Sequence, residues 1–297
     1  MLKLISVIVT TYDREDALAA ALRSLSNQID RGFEVVVADD GSGAATAAVV
    51  TEWQRRIGVN LLHVRHAHHD FRAAEIRNRA ILASGGAYCV FLDGDCLVRS
   101  DFVATHRRLA ELGWFVTGNR ALLSAELTAR VLRDGVDLET WKTGAWMAQR
   151  WQNGINRLGP LLRLPLGPLR KFRPHVWRGA RSCNLAVWRS DLDRVDGFDA
   201  SFSGWGREDS DLLVRLLRSG VRRKDGVFAT GVLHLWHAEA DRTRLAENER
   251  RLNQVILGDR VRAERGLSSL AANPARGPDG TQAVTNRDPI TATRARE

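Results

Sequence analysis

The 297-residue chain is 44% hydrophobic and 27% charged, an ordinary globular composition with room for one large domain or two small ones. No run approaches the ~18 uninterrupted apolar residues of a transmembrane helix, and Met1-Leu2-Lys3-Leu4-Ile5 leads straight into a strand pattern without a signal peptide's layout. The formal charge is +9, yet nine basic residues and no acid fall between Lys142 and Arg181, and the other 35 basic residues balance 35 acidic ones. The excess therefore belongs to one segment, which argues for a local anionic partner and against a general nucleic-acid coat.

In chain order, residues 4–10 (LISVIVT) form a continuous apolar, β-branched run, the pattern of a strand buried on both faces of a parallel sheet. Leu18, Leu22, Leu25 and Ile29 then give one apolar helix face. Residues 33–38 predict a second strand that ends at Asp39-Asp40-Gly41-Ser42; a helix over 44–57 and a short strand over 60–64 follow. A helix over 72–84, closed by Gly85-Gly86, leads to a strand over 88–92 that stops at Asp93-Gly94-Asp95. Strand-helix alternation at this spacing predicts an open α/β sheet with ligands at the carboxyl ends of its strands. Thr10-Thr11-Tyr12, Asp39-Asp40 and Asp93-Gly94-Asp95 all fall at such ends.

Residues 144–181 differ in kind. Trp146, Trp151 and Trp177 stand among four prolines, leucines and arginines, which predicts a loop-rich insertion with short helices. Beyond it the pattern gives a strand near 182–188, a turn at Gly197, a helix over 208–219, a strand near 227–233 and a polar helix over about 241–265. From 268 to 297 the composition is that of a disordered tail. The three cysteines, Cys89, Cys96 and Cys183, form no CxxC pair and read as buried free thiols of a reducing cytoplasm.

The segments SVIVTTYDRE, VVVADDGS, RAAEIRNRAILASGG and VFLDGDC, in this order, resemble the nucleotide-binding half of family 2 glycosyltransferases of the GT-A fold. FSGWGREDSDLLVRLLRSG and GVLHLWH are similar to the C-terminal half of galactosyltransferase-type enzymes, shared by chondroitin-polymerase modules and β-1,4-galactosyltransferases. The resemblance covers about residues 3–110 and 180–240 and implies an open, mostly parallel central sheet with helices on both faces. It divides the chain into a donor half (1–110) and an acceptor-binding, catalytic half (111–265).

Read locally, Asp93 and Asp95 are two acids at the end of an apolar strand, either a capped turn or a cation site, since hard cations take carboxylate and phosphate oxygens together. The resemblance implies the second: Mn²⁺ or Mg²⁺ held by Asp95, with Asp93 as a further ligand or a ribose contact. An imidazole can complete such a shell. His234 and His237 are the candidates, and in a strand they would point to opposite faces, so one alone is expected to bind; His237, with Asn248-Glu249 downstream, fits the family better. Among Glu208-Asp209-Ser210-Asp211, the resemblance makes Asp209 the base that deprotonates the acceptor, with Glu208 as the fallback and Asp211 and Trp205 as acceptor contacts. It sets Thr10 or Thr11 at the base edge, Tyr12 stacked near the uracil, Asp39 bonded to the uracil and Arg77 on the uridine or diphosphate. Asp40 is then a donor-site residue or the structural acid of its turn. His63, His66, His68 and His69 lack carboxylate or cysteine spacing and are expected in a solvated loop.

Together these imply an inverting, metal-dependent hexosyltransferase that moves sugar from a UDP-sugar to a hydroxyl of a glycan or lipid-linked glycan in cell-surface polysaccharide synthesis. A cytoplasmic protein is expected, peripheral at the inner membrane face if residues 144–181 meet anionic lipid. No nucleic-acid motif accompanies the charge. Two alternatives stay open: a retaining transferase of the same fold, and a non-enzymatic protein that binds anionic polymer or membrane.

Overall fold

The computed structural model of the protein describes residues 2–239 and 241–272. Ten strands occur in it: β1 (Ile5–Thr11), β2 (Phe33–Asp39), β3 (Leu61–Arg65), β4 (Tyr88–Asp93), β5 (Cys96–Leu97), β6 (Trp114–Thr117), β7 (Arg120–Leu122), β8 (Asn184–Trp188), β9 (Arg222–Asp225) and β10 (Val232–His234). Seven of them join in the order β3-β2-β1-β4-β8-β6-β9, and β8 alone runs against its neighbours. The open, mostly parallel sheet is as expected, and its early strands match to within a residue or two.

The β-branched strands are buried on both faces, as their unbroken apolar runs require. On one face Ile5, Val7 and Val9 pack against Leu18, Leu22 and Leu25 of the helix Glu15–Ser26, and against Val50 and Trp53 of the helix Ala44–Arg56. On the other face Ile8 and Val36 meet Ile76 and Ile81 of the helix Ala73–Ala83 and Leu212, Leu213 and Leu216 of the helix Glu208–Arg218. A small second sheet, β5-β10-β7, stands beside the first over its own core of Leu123, Leu127, Trp146, Ile155 and Leu233.

The chain order of the strands positions the site. From β1 the chain winds outward through β2 and β3, then returns to place β4 on the other side of β1. The strand order reverses between β1 and β4, and a crevice opens at the carboxyl ends of such a pair.

Several expectations need correction. The segment from 102 to 140 carries the helices Phe102–Leu109 and Ala125–Asp134 with β6 and β7, none of them read from the sequence. The polar helix is shorter, Leu245–Leu257. Of the stretch 227–233 only the last two residues fall in a strand, Val232–His234, while β9, a charged strand, lies just before it. The insertion does contain short helices, Thr143–Trp151 and the 3₁₀ turns Gly159–Leu161 and Gly167–Lys171. Its Trp146, however, belongs to the small core. Of the segment 268–297, the first residues lie in the short helix Leu267–Ala271 and Leu267 is buried; residues 273–297 lie outside the described residues. No helix among the described residues is long and apolar enough to cross a membrane.

Candidate active site

The Asp93-Gly94-Asp95 turn sits at the β1/β4 crevice because glycine lets it approach β1 closely. The Gly94 amide donates to the Thr10 carbonyl at 2.7 Å, and a Cβ there would lie 3.0–3.1 Å from that oxygen and from the Thr11 side chain. Immediately after the turn, β5 pairs antiparallel with β10, Cys96 opposite His234. The Leu235 amide extends the ladder by donating to the Asp95 carbonyl at 2.9 Å.

That pairing brings both histidines to one carboxylate. His234 Nε2 lies 3.5 Å from Asp95 Oδ1, and His237 Nε2 lies 3.5 Å from Asp95 Oδ2. The expectation of opposite faces fails because the strand ends at His234 and the chain turns before His237. Each ring donates through Nδ1 to a backbone carbonyl, His234 to Leu235 at 2.8 Å and His237 to Ala238 at 2.6 Å. Both Nε2 lone pairs are thus turned toward Asp95, the tautomer that metal-bound histidines adopt. The three ligand atoms lie within 4.8 Å of one another. Burial holds His234 below its usual pKa against the pull of Asp95, which keeps its ring neutral, as ligation needs. The donor set fits a divalent cation.

Arg77 is buried, 4% exposed. Its guanidinium is also occupied by protein. Nε donates to Thr10 Oγ1 at 3.1 Å, one terminal nitrogen to Glu208 Oε1 at 3.0 Å, and the other lies 3.5 Å from Asp93 Oδ1. It therefore ties the donor-side turn to the helix that starts at Glu208. Burial pushes Asp93 above the ordinary carboxylate range despite Arg77, and Asp95 adds to the rise. Burial and then the neighbouring Asp209 likewise raise Glu208 against Arg77. Glu208 Oε2 is buried without a partner. Removing the central cation would leave these acids desolvated and uncompensated. Arg77→Met is accordingly expected to lower the unfolding free energy by about 3–5 kcal/mol in a denaturant titration. Adding Glu208→Gln should recover part of that loss, and no recovery would show that the ion pair is not its cause.

Asp209, one residue on, is half-buried at the first turn of its helix, where the macrodipole favours an anion. Its oxygens accept from the Ser210 hydroxyl at 3.2 Å and the Ser182 amide at 3.4 Å. Trp205 is half-buried in the loop before this helix, under the Arg242 guanidinium at 5.0 Å. That loop is pinned from behind: Asn248 donates to the Ser203 carbonyl at 3.1 Å, and Glu249 accepts from Arg207 at 2.6 Å. Asn248 and Glu249 thus hold the loop that carries Trp205.

Asp211 departs from expectation. It is fully buried, and its Oδ2 accepts from both Nε (2.9 Å) and Nη2 (2.6 Å) of Arg215, whose Nη1 donates to the Val195 carbonyl. It braces the helix inside the core and is out of reach of an acceptor. The Asp39-Asp40 assignment also changes. Asp39 is fully buried, accepts from the Gly41 and Ser42 amides (3.2 and 2.7 Å) and pairs with His63 at 2.9 Å. Burial works against its ionisation, but His63 and Ser42 outweigh it and keep the pKa below the ordinary value. Asp39 is therefore the acid that shapes the turn, and its neighbour Asp40 is equally enclosed, accepting from His66 at 2.6 Å and from the Arg72 amide at 2.9 Å.

The histidine run divides: His68 and His69 lie exposed in a loop, as expected, whereas His63 stands in β3 and His66 is buried. His66 is buried between Asp40 and Glu75; burial opposes its protonation, yet the two carboxylates raise its pKa. His66 and Arg79 in turn hold Glu75 down at about 2. His68 stacks on Tyr12, ring centres 4.5 Å apart and nearly parallel, and its Nδ1 donates to the Asp40 carbonyl. Gly41, at φ +92°, makes room, since a Cβ would sit 2.5 Å from the His68 amide. The parallel register carries a signal only for His63, which it sets opposite Val37, two residues before Asp39. Tyr12 remains 40% exposed at the mouth of the crevice and, with His68, offers a flat aromatic surface.

Comparison with known proteins bears on this arrangement. The glycosyl transferase family 2 profile matches residues 6–162, and that of the N-terminal domain of galactosyltransferase matches residues 169–237. The chain is 27% identical over 248 residues to chondroitin synthase of Escherichia coli (76% of this chain, 34% of that protein). It is 28% identical over 228 residues to validoxylamine A glucosyltransferase of Streptomyces hygroscopicus subsp. limoneus (73% and 49%). It thus spans between about a third and a half of these relatives. Among solved structures, S. aureus TarS 1–349 in complex with UDP-GlcNAc superposes with a TM-score of 0.57 at 17% identity, over 89% of this chain and 68% of that one. The Pyrobaculum calidifontis mannosyltransferase PcManGT in complex with GDP-Man and Mn²⁺ gives 0.52 at 18% identity, over 92% and 75%. With more than half its length matched by that profile and the expected sheet in place, the chain belongs to glycosyl transferase family 2 and has the GT-A fold.

Proposed function

We propose that this glycosyltransferase moves a hexose from a UDP-sugar to a hydroxyl of a glycan or lipid-linked glycan, with inversion at the anomeric carbon and with help from Mn²⁺ or Mg²⁺. The observation that carries the reading is the convergence of Asp95, His234 and His237 on one point beside the β1/β4 crevice. A divalent cation held there would neutralise the charge that gathers on a departing diphosphate. TarS crystallised with UDP-GlcNAc and PcManGT with Mn²⁺ make the same chemistry the natural expectation here.

The protein's own groups divide the work. Tyr12, with His68 stacked behind it, presents a face for the nucleobase, while Thr10 and Thr11 line the crevice floor. Asp39 and Asp40 act through the turn that they hold, with a direct uracil contact left to its backbone. Arg77 fixes Asp93 and Glu208 relative to one another. Asp209, the more open of the two adjacent acids, takes the acceptor's proton as its oxygen attacks the anomeric carbon from the side opposite the leaving group. Trp205 offers a ring for the acceptor sugar.

A thermal-shift panel of UDP-, GDP-, dTDP- and CMP-sugars, with and without Mn²⁺, tests the donor assignment. Binding to the folded state alone should raise the melting temperature by a few degrees, on the order of 2–3 kcal/mol at saturation. The rise is expected with UDP-sugars and Mn²⁺ together. A response to a GDP-sugar instead, or one indifferent to metal, would overturn the assignment. The anomeric configuration of the product, read by NMR, tests inversion.

A further inference from the structure

The insertion presents a surface that the transfer chemistry does not use. Between residues 162 and 176, Leu162, Leu164, Leu169, Phe172 and Val176 are all exposed, Leu169 at 68% and Phe172 at 78%. Such a concentration of apolar side chains on a soluble surface marks a contact with something. The backbone beneath them is firmly held. Arg223 of β9 donates its amide to the Pro174 carbonyl at 2.8 Å and its guanidinium to the Val176 and Arg178 carbonyls at 3.2 and 2.9 Å. Arg170, buried below, donates to the Leu164, Asp225 and Val227 carbonyls. The ridge is therefore built to face outward.

Its charge selects the partner. No acid occurs from 142 to 181. Arg163 and Lys171 are already engaged by Asp101 and Glu111, but Arg173, Arg178 and Arg181 have no carboxylate partner among the described residues. Protruding leucine and phenylalanine flanked by unpaired arginine, without one intervening acid, match a headgroup layer of negative charge above hydrocarbon. From the ridge the chain runs on to Ser182, whose amide donates to Asp209 at 3.4 Å.

We infer that residues 162–178 form a docking ridge for an anionic lipid bilayer, with Leu169 and Phe172 inserted and Arg173 and Arg178 on the headgroups. Vesicle binding needs neither donor nor metal, so this inference and the transferase reading can fail independently. The test is co-sedimentation of the full chain with phosphatidylcholine vesicles, with and without phosphatidylglycerol, at low and high salt. Binding is expected only to the anionic vesicles and should weaken with salt. The pair Leu169→Asp with Phe172→Asp should reduce it by about tenfold or more, and Arg173→Glu with Arg178→Glu should do so comparably. The charge pair keeps the test decisive if the apolar pair impairs folding, as judged by melting temperature. Equal binding to neutral vesicles, no binding at all, or unchanged binding by the charge pair would each overturn the inference. So would a wild-type dimer that the apolar pair converts to monomer without any vesicle binding, which would identify the ridge as an interface between copies.

Discussion

Asp95→Asn is expected to reduce Mn²⁺-supported sugar transfer on the order of a thousandfold, the consequence of losing about 4 kcal/mol of transition-state stabilisation. Asparagine keeps the shape and leaves the β5-β10 pairing intact, since that pairing uses the Asp95 backbone carbonyl. It removes the anion toward which His234 and His237 both turn their Nε2 atoms. Metal titration by calorimetry should show the same loss without any sugar present. His237→Ala, which removes the more exposed imidazole, should cost less, because His234 and Asp95 remain. A variant at position 95 within threefold of wild-type turnover and metal affinity would remove the cation from this site.

Asp209→Asn should lower kcat by about 10²–10⁴-fold, the range associated with a positioned general base, and leave the donor-induced rise in melting temperature unchanged. The argument rests on access. Glu208 is buried and one of its oxygens is taken by Arg77, whereas Asp209 is half-open and held by weak contacts to Ser182 and Ser210. If Glu208→Gln, with folding intact, cut kcat more deeply than Asp209→Asn, the base would be Glu208.

Much of this site is legible in the sequence because its residues are chemically conspicuous where they stand. Acids that end apolar strands, as at Asp39 and Asp93, must be neutralised or bonded, and a strand-end position says where. What such logic cannot say is which partner does the neutralising. Asp39 meets His63, and Asp93 meets Arg77 across a helix–strand contact. A run of four histidines has no internal ligand spacing, so all four read as solvent-facing; parallel pairing sets His63 against β2, and His66 turns inward to Asp40 and Glu75, while His68 and His69 stay exposed. Asp211 was misread for a different reason. The resemblance of the acidic cluster made it an acceptor contact, although Arg215, one helical turn away on the same helix, is the partner that holds it in the core. The charged strand Arg222–Asp225 escaped because its residues pack against neighbours through their stems and lack an apolar run. The histidine faces failed on a boundary: period-two alternation stops at His234, three residues before His237.

The order of strands has a consequence for how enzymes of this kind can be recombined. The family 2 profile ends at residue 162, and the galactosyltransferase profile begins at 169, which invites a view of two exchangeable cassettes. Yet β8 comes from the second stretch and is hydrogen-bonded between β4 and β6 of the first, and β10 of the second is zipped between β5 and β7. A hybrid that joins the front of one family member to the back of another must therefore match two interleaved sets of strand edges before it can match any sugar. The two profile-matched stretches, though separate along the chain, are mechanically inherited together.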